Sequence, residues 1–211
     1  MNAVRTLLAA LACIAGTAQA ASLSVTVTDK DGTPVPDTAV MLRYPAPPLN
    51  RPVPPPVVVV DQEKMRFNPY LSIVAPGTTI LFTNRDAFDH HVVATAPQIG
   101  TAPAKSFETR LPPDPTKPFG VKLTDLGRHA LSCHLHSRMR GYIYVTDTPW
   151  FGKTDAQGQL TLDNLPAGLV DVQLWHPEQF LDQAPLRAQL GTAPAALSGQ
   201  LNFNPRVRRA L

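Results

Sequence analysis

The segment Cys133-His134-Leu135-His136-Ser137-Arg138-Met139 places a thiol, imidazoles and a thioether within seven residues. Soft sulfur donors combined with borderline imidazole nitrogen select copper over harder ions. Two imidazoles and one thiolate in a trigonal set, with a long axial thioether, make a copper electron-transfer site. Cys133, His136 and Met139 supply three of these donors, so one imidazole must come from elsewhere. Asp89-His90-His91-Val92 offers two candidates. This stretch follows the strand-like run Thr78 to Arg85, and a histidine in it reaches the cysteine segment if the two strands are neighbours. Drawing ligands from two separate segments of a stiff scaffold also limits how far they relax between Cu(I) and Cu(II), which eases electron transfer.

Other chemistries for the same residues fit less well. Zinc could use Cys133 with His90 and His136, but structural zinc takes four Cys or His donors and does not use methionine. A nucleophilic cysteine belongs in an electropositive cleft, often at a helix N-terminus. Cys133 instead ends a strand-like run. No phosphate-binding loop, paired carboxylate or Cys-x-x-Cys-His haem motif is found, and the chain is read as a non-enzyme. His129, in the strand before Cys133, is expected to be structural or on the surface, and His176, in a Trp-His-Pro turn, to hydrogen-bond locally. Trp150, Trp175, Tyr142 and Tyr144 are expected to serve as sandwich core and strand-face residues.

The elements that must position these donors read as all-β. Ser22 to Thr28 and Val170 to Trp175 alternate polar and apolar residues, the period of a half-buried strand. Further strands are expected at Ala39 to Arg43, Val57 to Val60, Leu71 to Ala75, Thr78 to Asn84, His91 to Thr95 and Lys105 to Arg110. Others follow at Val121 to Leu123, Gly127 to Ser132, Gly141 to Thr146 and Gln159 to Leu162. Pro45 to Pro56 is dense in proline, which fixes φ and removes amide donors, so it is expected to be an extended connector. Gln179 to Leu190 is the best place for a short helix. Many short strands between Gly and Pro turns indicate sandwiches or barrels.

Residues 1–20 read as a cleaved export signal. A basic start is followed by a short apolar run, and Ala18-Gln19-Ala20 forms a small-x-small end. No later stretch is long and apolar enough to span a bilayer as a helix. The whole chain carries 19 basic and 16 acidic side chains, a net charge of +3. Losing the leader removes Arg5 and leaves +2, near neutral, which argues against a nucleic-acid partner. Arg206, Arg208 and Arg209 read as a solvated basic end. Cys133 is then the sole remaining cysteine in an oxidising compartment. A lone thiol there is liable to oxidation unless burial or a metal protects it.

Residues 57–146 resemble the cupredoxins, the family of plastocyanin, pseudoazurin and amicyanin. The resemblance rests on Phe67-Asn68-Pro69, Val74-Ala75-Pro76-Gly77-Thr78-Thr79-Ile80, Phe82-Thr83-Asn84, His90-His91-Val92-Val93, Leu131-Ser132-Cys133 and Gly141-Tyr142-Ile143-Tyr144-Val145. The Cys-x₂-His-x₂-Met spacing is that of amicyanin. The resemblance implies that His90, Cys133, His136 and Met139 bind one copper ion, with the His136 ring edge near the surface as the electron port. Two positions depart from the pattern. His91 stands where the family usually has an asparagine tying the two ligand loops together, and His134 adds an imidazole inside the cysteine loop. Either could compete for metal.

The flanks resemble a carboxypeptidase regulatory-like, transthyretin-type β-sandwich. Asp31-Gly32-Thr33-Pro34-Val35-Pro36-Asp37 looks like its start. Thr154-Asp155-Ala156-Gln157-Gly158 and Leu165-Pro166-Ala167-Gly168, running to Trp175-His176-Pro177, look like its end. The implied organisation is a discontinuous outer sandwich, residues 21–50 and 147–211, interrupted by a Greek-key cupredoxin domain, residues 51–146. Domain termini usually lie close together, which makes such an insertion feasible. The arrangement is similar to bacterial periplasmic proteins of the methylamine utilisation type. The resemblance therefore implies a periplasmic, type 1-like copper protein that passes electrons to a periplasmic redox protein. The alternative is copper storage, delivery or sensing alongside a copper-handling partner.

Overall fold

The computed structural model describes residues 21–96 and 105–206. The expected leader, Arg208, Arg209 and the start of the loop before Lys105 lie outside the described residues. The strands among the described residues are β1 (Ala21–Thr28), β2 (Ala39–Arg43), β3 (Val57–Glu63), β4 (Arg66–Asn68), β5 (Leu71–Val74), β6 (Thr79–Asn84), β7 (His90–Thr95) and β8 (Lys105–Leu111). They continue as β9 (Phe119–Lys122), β10 (Gly127–Cys133), β11 (Arg140–Val145), β12 (Phe151–Lys153), β13 (Gln159–Leu165), β14 (Gly168–Trp175), β15 (Leu186–Leu190) and β16 (Ala195–Gln200). No helix occurs among the described residues, and the fold is all-β.

Gln179 to Leu190 is not helical. Pro185 interrupts the segment, fixing φ and offering no amide, and Phe180 and Leu181 are 97% and 76% exposed, so no apolar helical face is buried. Leu186–Leu190 instead pairs antiparallel with Gly168–Val172, which satisfies its backbone groups in a ladder. The strands β4, β12 and β16 were not anticipated. The first two have three residues each, too short to show an alternation. The third, AALSGQ, is small and polar, and gains its place by parallel pairing with β1.

The central part of the chain forms two facing sheets, ordered β4-β3-β6-β9 and β5-β11-β10-β7-β8. Alternate residues of both turn inward. Val60, Phe67, Ile80 and Phe82 from one sheet share a core with Val92, Ala94, Leu131, Cys133, Ile143 and Val145 from the other. The flanks form two further sheets, β13-β1-β16 and β12-β2-β14-β15. Leu23, Val25 and Val27 of β1 face Val40, Leu42, Val170, Val172 and Leu174 in a separate core.

What positions the site is the pairing of β10 with β7. They run antiparallel, with Cys133 opposite Val92 and Ser132 opposite Val93. The end of β10 therefore lies beside the start of β7, and the cysteine loop meets the His90-His91 segment. Asn84, fully buried at the end of β6, anchors the approach to His90. Its Nδ2 donates to the carbonyls of Phe88 (2.8 Å), Pro112 (3.0 Å) and Leu111 (3.2 Å), and its Oδ1 accepts the Asp86 amide at 3.0 Å.

Candidate metal centre

Cys133 ends β10 and His90 opens β7, and both point inward, 2% and 0% exposed. Cys133 Sγ lies 3.7 Å from His90 Nδ1 and 3.4 Å from His136 Nδ1. A sulfur and a nitrogen bound to one ion with bonds of about 2.0–2.3 Å at trigonal or tetrahedral angles stand about 3.6–3.8 Å apart. The two observed separations lie close to that value. Met139, 1% exposed, shares the central core with Cys133. The loop closes on itself through the backbone: the Met139 amide donates to the His136 carbonyl at 2.9 Å, and the Cys133 amide donates to the Met139 carbonyl at 3.3 Å. His136 is half-buried.

The two ligand segments are tied by main chain. The His91 amide donates to Cys133 Sγ at 3.4 Å, and the His134 amide donates to the His91 carbonyl at 2.9 Å. This backbone hydrogen bond fixes the position of the sulfur. Because the tie runs through the backbone of residue 91, it does not depend on that residue's side chain.

One contributing residue, Asp86, was not anticipated. Its Oδ2 accepts from His90 Nε2 at 2.9 Å, which fixes the tautomer and leaves the Nδ1 lone pair facing Cys133 Sγ. The carboxylate is itself held by the amides of Lys64 (2.6 Å) and Met65 (2.9 Å). Both residues have positive φ, 53° and 55°, and form the two-residue turn joining β3 to β4. Burial pushes the Asp86 carboxyl up. The Met65 amide, the His90 ring and the Lys64 amide outweigh it, and the group lies below the usual carboxylate range. The only sequence signal was a carboxylate four residues before a candidate ligand.

Phe88 covers the imidazoles. Its ring centroid lies 5.4 Å from that of His90 and 5.1 Å from that of His136, while the two histidine rings are 4.9 Å apart. Phe88, Leu135 and Met65 are all substantially exposed, so apolar side chains reach the surface around His136.

The remaining histidines divide clearly. His91 and His134 pack edge to face at 5.0 Å but belong to a cluster separate from His90, Cys133 and His136. His129 is buried, donating through Nε2 to the Asp125 carbonyl (2.8 Å) and accepting at Nδ1 from the Ser106 hydroxyl (2.9 Å). His176 Nδ1 accepts the Glu178 amide at 3.2 Å. Both are held by local hydrogen bonds.

No protein-family model and no curated protein matches the chain. Among solved structures it is similar to an oxidised amicyanin variant, at 28% identity over 43% of this chain and 82% of that one, with a TM-score of 0.36. It is similar to a reduced amicyanin variant, at 23% identity over 50% of this chain and 99% of that one, with a TM-score of 0.37. It is also similar to a purple cupredoxin from Nitrosopumilus maritimus, at 16% identity over 43% of this chain and 98% of that one, with a TM-score of 0.35. These likenesses extend over half of the chain or less. The strand order and donor geometry stand independently of them.

Proposed function

We propose that His90 Nδ1, Cys133 Sγ, His136 Nδ1 and the Met139 thioether hold one copper ion, and that the protein carries electrons to a redox partner in the periplasm. The observation that supports this most is the convergence of one sulfur and two imidazole nitrogens at 3.4 and 3.7 Å, with the other nitrogen of His90 engaged by Asp86. Copper bound to such a set supplies a one-electron Cu(II)/Cu(I) couple. The chain's own residues do the rest. His90 and Cys133 are fixed by neighbouring strands, so they move little with a change of charge. The His91 amide steadies the sulfur. His136, half-buried beside exposed Phe88 and Leu135, offers a short path to the surface where an apolar partner face can exclude water.

The domain division belongs to the same proposal. Residues 51–146 form the copper-binding unit, set within an outer sandwich built from residues 21–50 and 147–211. The separate apolar cores of the two sandwiches support this division.

The test is to add Cu(II) to the purified protein. An intense thiolate-to-copper absorption band in the visible range is expected, together with a reversible redox couple. The band is expected to vanish in Cys133→Ser and persist in His129→Ala. A wild-type protein that binds Cu(II) without that band overturns the reading.

A further inference from the structure

We propose that His91, Glu108 and His134 form a second metal site, for an exchangeable divalent ion of the Cu(II), Ni(II) or Zn(II) class, on the outer face of the same strands. The argument begins with alternation. Successive side chains of a strand point to opposite faces, and His90 and Cys133 point inward. The residues that follow them, His91 and His134, therefore point outward together. The β7–β8 register places His91 opposite Arg110 and Val93 opposite Glu108, so Glu108 is the diagonal neighbour of His91 on one face. The strands β8, β7 and β10 are adjacent, and Glu108 on β8, His91 on β7 and His134 immediately after β10 come side by side.

The distances fit a shared ion. One donor atom from each residue lies within 4.8 Å of the others. Glu108 Oε1 contacts His91 Nε2, and the His91 and His134 rings meet edge to face. Neighbouring nitrogen and oxygen donors on one square or tetrahedral ion stand about 2.8–3.4 Å apart, so the set closes on an ion by rotation of the partly exposed side chains. The side chains of His91 and Glu108 are 30% and 31% exposed. A cross-strand ion pair would need only His91 and Glu108. The second imidazole completes a three-donor set of two nitrogens and one oxygen, with room for water at the remaining positions. Such sets suit borderline divalent ions, with Cu(II) held most tightly in the first-row order. Among the described residues no cysteine belongs to this cluster, so an ion here gives no thiolate absorption band. The site goes beyond the copper reading and does not depend on it.

The experiment adds Cu(II) stepwise to the whole protein and follows electron paramagnetic resonance alongside visible absorption. Two equivalents are expected to bind in wild type, one of them with a nitrogen-coupled signal unaccompanied by a thiolate band. His134→Ala is expected to lose that signal while keeping the visible band. Glu108→Gln, on an exposed side chain, is expected to weaken the second equivalent about tenfold. Uptake of no such ion by wild type overturns the site, as does a signal that survives both His134→Ala and Glu108→Gln. Failure of the first site instead appears as loss of the visible band with the nitrogen-coupled signal intact.

Discussion

Asp86 and His90 are four residues apart, and the carboxylate holds the ring nitrogen that faces away from Cys133. Removing such an outer partner of a metal-bound imidazole typically costs about 10–100-fold in metal affinity. Asp86→Ala is therefore expected to weaken copper binding by about that factor in competition with a chelator, while the thiolate band keeps its intensity at saturation. Unchanged affinity would show that His90 is held by its strand alone. The meeting of Cys133 and His136 with one histidine of the His90-His91 pair was readable from donor type and spacing, and the family resemblance pointed to His90. Asp86 was not readable. Its role depends on the Lys64 and Met65 amides, which come from a turn some twenty residues earlier and reach it only after folding. The choice between His90 and His91 lay in strand phase. Alternation sends one inward and the other outward, and only the placement of the strand start decides which.

Elements with a clean two-residue period, such as β1 and β14, were legible because burial of one face dictates the pattern. The turn before β13 was legible too. Gly158 has φ of +70°, and a Cβ there would lie 2.5 Å from the Val27 carbonyl oxygen, so only glycine fits the Asp155 to Gly158 turn. The short strands and the missing helix were not legible, since pairing partners supplied what the local sequence lacked. Tyr44 shows how an element end is fixed. Its hydroxyl donates to the Pro166 carbonyl at 2.8 Å and its ring packs on Trp150 at 4.9 Å. Burial pushes its phenol from the usual 10 up to about 12. With the folded value above the unfolded one, this stabilisation is complete below pH 10 and is lost as pH rises towards 12. Tyr44→Phe is expected to cost about 0.5–1.5 kcal/mol at neutral pH by denaturant titration. It is also expected to flatten the alkaline loss of stability between pH 10 and 12. Equal alkaline slopes for both proteins would remove the tyrosine from that account.

The two sandwiches meet across a third apolar cluster, and this contact was not legible at all. It joins Ala39, Met41, Phe151 and Trp175 of the flanking sheets to Leu71, Ile73, Tyr142 and Tyr144 of the central ones and to Tyr70 just before β5. Each residue reads locally as an ordinary strand position, and only the docking of one sheet face on another reveals the set. Trp175 is its centre, 5% exposed, with its ring 4.8 Å from Tyr144 and 6.2 Å from Tyr142. Each sandwich has its own core, so each holds part of its stability alone, while the shared cluster couples their unfolding. Truncating a buried tryptophan costs about 3–5 kcal/mol, and here much of that loss falls on the coupling. Calorimetry of the wild-type protein is expected to show one cooperative transition. Trp175→Ala is expected to split it, with the flanking sandwich melting first and the central one later. Copper added to the variant is expected to raise only the later transition, because an ion that binds the folded form stabilises only the unit that holds it. A single transition in Trp175→Ala that shifts as a whole with copper would mean that the two sandwiches are coupled through other contacts.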